Sequence, residues 1–413
     1  MNNNFKNQYL LVLDLLRLEH LRQLNTLNLI ASENFVSKPI LQAIGSSVVN
    51  KYAEGYPSKR YYAGCENIDA VEKEAIGRAK DLFQAEHVNV QPHSGTNANL
   101  AVYLAAIRPG DKVLAMKLNH GGHLSHGSKM GMAGMIYKFV FYGVNDETGY
   151  IDYSELEKIA IQEKPQIILV GASAYPRVID FERIAFICKK VNAKFWVDMA
   201  HIAGLVASGM HISPIPYADF ITSTTHKTLR GPRGGLILCK KEYGQKVDSS
   251  VFPGVQGGPL MNMIAGKAIC FGEAMCKEFR DYQKKVLENA QALACQFALE
   301  RFEMQTNGTD THLILLNIGR YRHDASKAEE ELSKIRIVVN RNLMPNQKRM
   351  GIRLGSAAIS TQGFGVIESA FISHLIGQAL MHKRDISLYS RVLKLIDRRL
   401  LSVEFDELSS FLI

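Results

Sequence analysis

Apolar residues return along this chain in two rhythms. Short runs rich in Val, Ile and Phe alternate with longer stretches in which apolar positions recur every three or four residues. The first rhythm predicts strands and the second predicts helices. Helices are predicted at Ala70–Phe83, Asn97–Ile107, Tyr153–Gln162 and Phe181–Val191. Strands are predicted at Val88–Val90, Lys112–Ala115, Phe139–Tyr142, Ile167–Gly171, Lys194–Asp198, Phe220–Ser223 and Gly235–Cys239. Apolar strands separated by helices specify an α/β fold, with a mostly parallel sheet covered on both faces.

The flanks read differently. Leu10–Leu29 predicts an amphipathic opening helix, followed by an irregular aromatic and Gly-rich stretch over 51–64. A long helical stretch covers Ala265–Arg301. Beyond it come strands at Leu313–Ile318 and Ile335–Val339 and helices at Phe371–Leu380 and Ser387–Leu401. The expected organisation is a helical arm over 1–45, a large domain over 46–275 and a smaller α+β domain over 276–413. The basic residues Arg391, Lys394, Arg398 and Arg399 of the last helix read as a solvated face.

In open α/β sheets, ligands collect beyond the carboxyl ends of the strands. Three polar clusters fall there: His93-Ser-Gly-Thr96, Asp198-Met-Ala-His201 and Thr225-His-Lys-Thr228. Lys227 is flanked by His226, Arg230 and Arg233; partial burial and neighbouring cations depress an amine's pKa and make it a nucleophile suited to a Schiff base. Asp198 closes an apolar strand, where it either takes a surface amine or keeps a pyridinium nitrogen protonated. The small residues from His93 to Ala98 precede a helix and offer N–H groups to a phosphate, or simply cap the helix.

These segments resemble the serine hydroxymethyltransferase family along nearly the whole chain. The matching runs are Asn28–Asn34, Asn50–Pro57, Val90–Gly95, His120–Leu124, Val197–Leu205, Thr225–Gly235, Phe252–Leu260 and Gly351–Gly355. The resemblance implies a fold-type I, aspartate-aminotransferase-like fold with a seven-stranded sheet, and a pyridoxal 5'-phosphate enzyme of aldol type. Lys227 would carry the cofactor, Asp198 would pair with its ring nitrogen and His123 would stack on the ring. His201 and Ser173 would lie on its hydroxyl side, and Gly95 and Thr96 would hold its phosphate. Tyr52, Gly257 and Gly258 would reach in from a partner subunit. Ser32 and Arg353 would bind the substrate carboxylate, Glu54 would be the acid/base at the substrate hydroxyl, Tyr62 would line that pocket and His226 would tune protonation. Leu118, Gly122, Leu124 and Asn342 would face tetrahydrofolate, the cosubstrate.

The chain departs from the family in one stretch. Asn340-Arg-Asn-Leu-Met-Pro345 is followed by only five residues, Asn346–Met350, before Gly351, so the family's Ser-Pro-Phe segment against the pterin has no counterpart. Gly355-Ser-Ala-Ala replaces Gly-Thr-Pro-Ala, Gln362 replaces a basic residue and Ala63 replaces a glycine. Two readings follow. One is a serine/glycine hydroxymethyltransferase using tetrahydrofolate. The other is a folate-independent β-hydroxy amino acid aldolase or transaldolase, or a hydroxymethyltransferase with another acceptor.

Composition adds constraints. The 413 residues are 46% apolar and 22% charged, which excludes a disordered chain and leaves ample core. Against 40 Asp and Glu stand 49 Lys and Arg, a net +9 spread along the chain. That charge is the sole support for a nucleic-acid binder, and the set Lys227, Asp198, His123, Arg353 and Glu54 speaks for an enzyme instead. Six cysteines without metal-ligand spacing read as buried free thiols, and no metal is expected. A cytoplasmic homodimer or pair of dimers, with no membrane span, completes the expectation.

Overall fold

The computed structural model describes residues 3–319, 324–345, 350–381 and 386–400. Its centre is a seven-stranded sheet in the order His87–Asn89, Gly235–Cys239, Phe220–Thr224, Lys194–Asp198, Ile167–Val170, Lys112–Met116, Lys138–Tyr142. Gly235–Cys239 runs antiparallel to both neighbours and the other pairings are parallel. The runs are apolar throughout because both faces are covered. Ile168, Val170, Phe195 and Val197 point into one core and Ile167, Leu169 and Trp196 into the other. This is the alternation a strand imposes. Helices Glu66–Phe83, Phe181–Val191 and Met261–Ala274 cover the first face, and Gly95–Ala106 covers the second.

A second core lies beyond Lys277. Its antiparallel sheet runs Glu303–Met304, Leu313–Asn317, Met350–Gly355, Asn340–Leu343, with helices Lys277–Leu299 and Val366–Met381 packed against it. The N-terminal segment joins this core: Leu27–Asn28 pairs in parallel with Ile337–Val338, and Leu27 and Leu29 are fully buried.

Several expectations need correction. The opening helix spans Asn3–Leu24, not as far as Leu29, because Asn25 turns its side chain and its N–H back onto Leu21 O. The stretch Ala265–Arg301 is two helices, Met261–Ala274 and Lys277–Leu299, parted where Cys276 adopts extended backbone. The strand expected at Ile335–Val339 shrinks to Ile337–Val338, and the chain then forms the hairpin of Asn340–Leu343 with Met350–Gly355. Cys65, Cys188, Cys239 and Cys270 are buried, but Cys276, between the two helices, and Cys295, on the second of them, are exposed. Arg391 is not a free surface cation: it donates to Gln378 Oε1 at 2.5 Å and lies over the Phe371 ring. The side chains of Arg398 and Arg399 lie outside the described residues. Among the described residues no helix is long and apolar enough to cross a membrane.

One buried cation ties the sheet to the loop that leads toward the polar rim. Lys267, 1% exposed, donates from Nζ to the carbonyls of Val90 (2.6 Å), Pro92 (3.1 Å) and Gly235 (2.8 Å). Burial pulls its amine down to about 7. Three carbonyl acceptors match the three N–H groups of an ammonium and favour the charged form. Lys267→Met leaves those carbonyls without this donor in a dry interior. The expected loss is at least ~3 kcal/mol, read as a lower denaturant midpoint; an unchanged midpoint would show that the lysine is not structural.

Candidate active site

The strands Lys194–Asp198 and Phe220–Thr224 pair in parallel with Asp198 opposite Thr222, so both end on the same edge of the sheet. Asp198 is the last residue of its strand, and Lys227 follows the neighbouring strand after one short turn. Both line a cavity together with Gly95, Asn99, His123, His126, Ala172, Ser173, Ala200, His201 and Thr224. The rim thus unites Lys227, Asp198, His123, His201, Ser173 and Gly95, six of the residues singled out in the sequence.

Asp198 is held on both oxygens. Oδ2 accepts from Asn99 Nδ2 and His126 Nε2, each at 2.9 Å, and Oδ1 accepts from Ala200 N at 3.1 Å. Burial raises the carboxyl's pKa, but the His126 and Asn99 bonds and the nearby His123 outweigh it and keep the group well below the usual carboxylate range. Asp198 is therefore a fixed anion facing the cavity. Asn99 and His126 were not foreseen. Their only signals are that Asn99 sits one helical turn after Gly95 and that His126 follows His123 by three residues.

Lys227 is buried, and no described group accepts a hydrogen bond from its Nζ. Burial pulls its amine down to about 8, with Arg353 and Arg233 adding to the effect and Asp198 opposing it. The flanking residues contribute differently from the expectation. Arg230 turns away to lie 4.7 Å over the Tyr282 ring. Burial brings His226 down to about 3, so it is neutral, and its Nδ1 has no partner.

His123 Nδ1 meets Ser125 Oγ at 2.7 Å, and burial lowers its pKa to about 4. His201 is also kept neutral by burial and packs face-on against His312, with Nδ1 3.4 Å from His312 Nε2. Ser173 Oγ donates toward Gly121 O and Gly122 O at 3.3 and 3.2 Å. Arg353 reaches the same place from the small sheet. Its Nη1 donates to Ser173 O at 2.6 Å, its Nε to Asn340 Oδ1 at 3.1 Å, and its Nη2 lies 3.5 Å from Ser32 Oγ. No carboxylate pairs with this buried guanidinium among the described residues, and burial lowers its pKa to about 10.

At the mouth of the helix Gly95–Ala106, Ser94 is the cap, its Oγ accepting from Asn97 N at 3.2 Å. The N–H groups of Gly95 and Thr96 have no acceptor among the described residues. A Cβ on Gly95 would lie 2.7 Å from Thr224 Cγ2, so a side chain there would displace the threonine that also lines the cavity. Thr224 Oγ1 is buried without a partner.

The remaining candidates stand apart from this cavity. Tyr52, Glu54, Tyr62, Gly257 and Gly258 form a cluster of their own. Tyr52 OH donates to Glu54 Oε1 at 3.3 Å, the Tyr52 and Tyr62 rings meet edge-on at 4.9 Å, and Gly257 and Gly258 lie against Glu54 and Tyr52. Tyr52 and Tyr62 are 55% and 45% exposed, so within one chain these aromatics face outward. Leu118 and Leu124 are also exposed, Gly122 sits under Ser173 Oγ, and Asn342 donates to Leu343 O within its strand. Gln362 is buried and donates to Thr26 O at 3.0 Å, where a basic residue was the family's pattern. Of the shortened segment, residues 346–349 lie outside the described residues; Leu343 pairs with Met350 and Met344 is buried.

The amine of Lys227 makes stability depend on pH with a defined sign. Its folded pKa is about 8 against an ordinary 10.5. Between these values the cofactor-free folded protein binds fewer protons than the unfolded chain, so stability falls as pH drops from 10.5 to 8. The full penalty below that window is about 3 kcal/mol. Lys227→Met should therefore gain on the parent protein near neutral pH and lose that gain above pH 10.5. Denaturant midpoints of the two cofactor-free proteins across pH measure this, and parallel curves would show that the amine is well solvated.

A model of the family described as serine hydroxymethyltransferase matches residues 6–376 of the chain.

Proposed function

The chain belongs to the serine hydroxymethyltransferase family of fold-type I, pyridoxal phosphate-dependent enzymes of aldol-type hydroxymethyl transfer, and from that premise we propose that it interconverts serine and glycine and passes the one-carbon unit to tetrahydrofolate. The observation that carries this reading is the unpartnered Lys227 amine in one cavity with the pinned Asp198 anion. The cavity also fits pyridoxal phosphate in its orphan groups: the Thr224 hydroxyl without a partner and the unused N–H groups of Gly95 and Thr96. When bound, the cofactor supplies an electron sink for negative charge at an amino acid's α-carbon.

The residues then divide the work. Lys227, partly neutral near pH 8, would be the amine that holds the cofactor. Asp198 would keep the ring nitrogen protonated. His123 would lie against the ring, His201 and Ser173 would stand beside its hydroxyl, and Gly95 and Thr96 would hold its phosphate, where the helix dipole favours an anion. Arg353 is a buried cation without a counter-anion among the described residues, a receptor for the substrate carboxylate with Ser32 beside it. Neutral His123 and His226 add no positive charge to the resting pocket, and each can accept a proton, carrying a positive charge for as long as it holds it.

Glu54 would exchange the proton of the substrate hydroxyl, with Tyr62 lining the pocket and Tyr52, Gly257 and Gly258 beside them. Their outward exposure supports a homodimer in which each chain lends this cluster to its partner's cavity. The opening helix supports it too: Leu11, Val12, Leu15, Leu16 and Leu18 are all more than half exposed in the single chain. The arm and two-domain boundaries given above, a further pairing of dimers and a cytoplasmic location belong to the same proposal. A heterodimer of Lys227→Ala and Glu54→Gln chains should then recover about half the wild-type activity, because one of its two sites is intact. Each parent homodimer should be inactive or nearly so. A heterodimer no better than its parents would remove the shared-site reading.

A second reading keeps the cofactor and drops folate. It is favoured by the closed hairpin: with Leu343 paired to Met350 and Met344 buried, six residues bridge the strands. Loss of loop length costs little stability, so the cofactor half survives such a change. Turnover of serine with and without tetrahydrofolate separates the two. Strong dependence on folate supports the transferase. Equal rates with and without folate, together with cleavage of threonine, would establish the aldolase.

A further inference from the structure

The surface that presents Glu54 hangs on a buried side chain to which the mechanism above gives no part. The guanidinium of Arg60 is 3% exposed. Its Nη1 donates to Ala53 O at 2.9 Å and Gly55 O at 2.8 Å, the two carbonyls that bracket Glu54. The carbonyl of Glu54 itself accepts from Tyr61 N at 3.1 Å, so three consecutive backbone oxygens are occupied.

The guanidinium is fixed in turn. Its Nε meets Asp69 Oδ1 at 2.9 Å and its Nη2 meets Glu72 Oε2 at 2.5 Å, and the Glu72 side chain is fully buried. The other Glu72 oxygen accepts from Gln91 Nε2 at 2.7 Å, and that amide also donates to Gly55 O at 2.9 Å. Gly55 has a φ of +94°, and a Cβ there would lie 2.3 Å from Lys59 O, so the backbone beside Glu54 has no room to relax. Gln91 also opens the segment that runs through Pro92 to the Ser94 cap, and its carbonyl accepts from Gln256 Nε2 at 2.8 Å.

We propose that Arg60 is the positioning residue for Glu54, setting where its carboxyl stands at the substrate hydroxyl through the two carbonyls that flank it. The inference rests on Glu54 acting as the acid/base there. A guanidinium is required because one planar fork must reach two backbone oxygens and two carboxylates at once. A lysine ammonium answers the charge of Glu72 but cannot bracket Glu54 as well. Glu72 joins the Arg60 fork to the Gln91 amide, so the backbone around Glu54 is tied to the chain's own segment leading to the Ser94 cap.

The test is a double-mutant cycle on the pyridoxal phosphate-loaded dimer, with serine as substrate. Arg60→Lys should lower kcat by about tenfold, with KM for serine and cofactor affinity changed less than about twofold. Glu54→Gln should cost more, and the double variant should be no slower than Glu54→Gln alone. Losses that multiply, a kcat unchanged by Arg60→Lys, or a defect confined to cofactor affinity would each overturn the proposal. Full turnover by Glu54→Gln would instead overturn the reading beneath it, and that variant shows this by itself. If Arg60→Lys does not assemble, as judged by light scattering, Glu72→Gln enters the same cycle, since it loosens the guanidinium and leaves residue 60 in place.

Discussion

The parallel register between Lys194–Asp198 and Phe220–Thr224 is the constraint on which the site depends. Asp198 faces Thr222 across the ladder, and Met199 N donates to Thr222 O at 2.9 Å. The chain's one tryptophan helps to hold that register: buried Trp196 donates from Nε1 to Thr222 Oγ1 at 3.0 Å. A slip of one residue would turn every side chain of the strand to the opposite core. Trp196 and Val197 fill different cores, so the slip would also exchange residues of unlike volume. The carboxylate and the amine are therefore brought together by the packing of apolar side chains several residues away from either.

Burial then gives the rim its electrostatic character. Removing water favours the neutral form of each base, which accounts for Lys227 near 8 and for the lowered pKa values of His123, His201 and His226. Asp198 runs against the same trend because Asn99, His126 and a backbone N–H stabilise its charge. Arg353 also stays charged, since burial lowers it only to about 10. The pocket thus holds one fixed anion, one fixed cation and several proton carriers. On the proposed function, an amino acid's carboxylate would meet a complementary charge already in place.

How much could be read beforehand follows from the same physics. Lys194–Asp198, Gly235–Cys239 and Phe181–Val191 have the ends their patterns predict, since a strand buried on both faces and a strongly amphipathic helix carry their signals within themselves. The hairpin of Asn340–Leu343 and Met350–Gly355 was not legible. Arg341 and Arg353 interrupt its apolar pattern, and only tertiary partners, Glu329 and Ser173, explain them. The break at Cys276 was hidden because its neighbours suit a helix on both sides. Lys227, Asp198 and Gly95 stood out through their place at strand and helix ends. Asn99 and His126 meet Asp198 from far along the chain, which a local pattern cannot display.

The two halves of the site differ in how freely they can change. The cofactor half is built on sheet ends, with Asp198, His201 and Lys227 buried between elements whose displacement would disturb a packed core. The half proposed to face the acceptor carries exposed Leu118 and Leu124 and a hairpin in which Leu343 and Met350 pair. Shortening such a connection alters closure entropy by only a fraction of the stability of a folded domain. The missing segment therefore cannot be taken as damage to the chemistry at the α-carbon. On the proposed function, the side that carries this connection is where an acceptor would be selected.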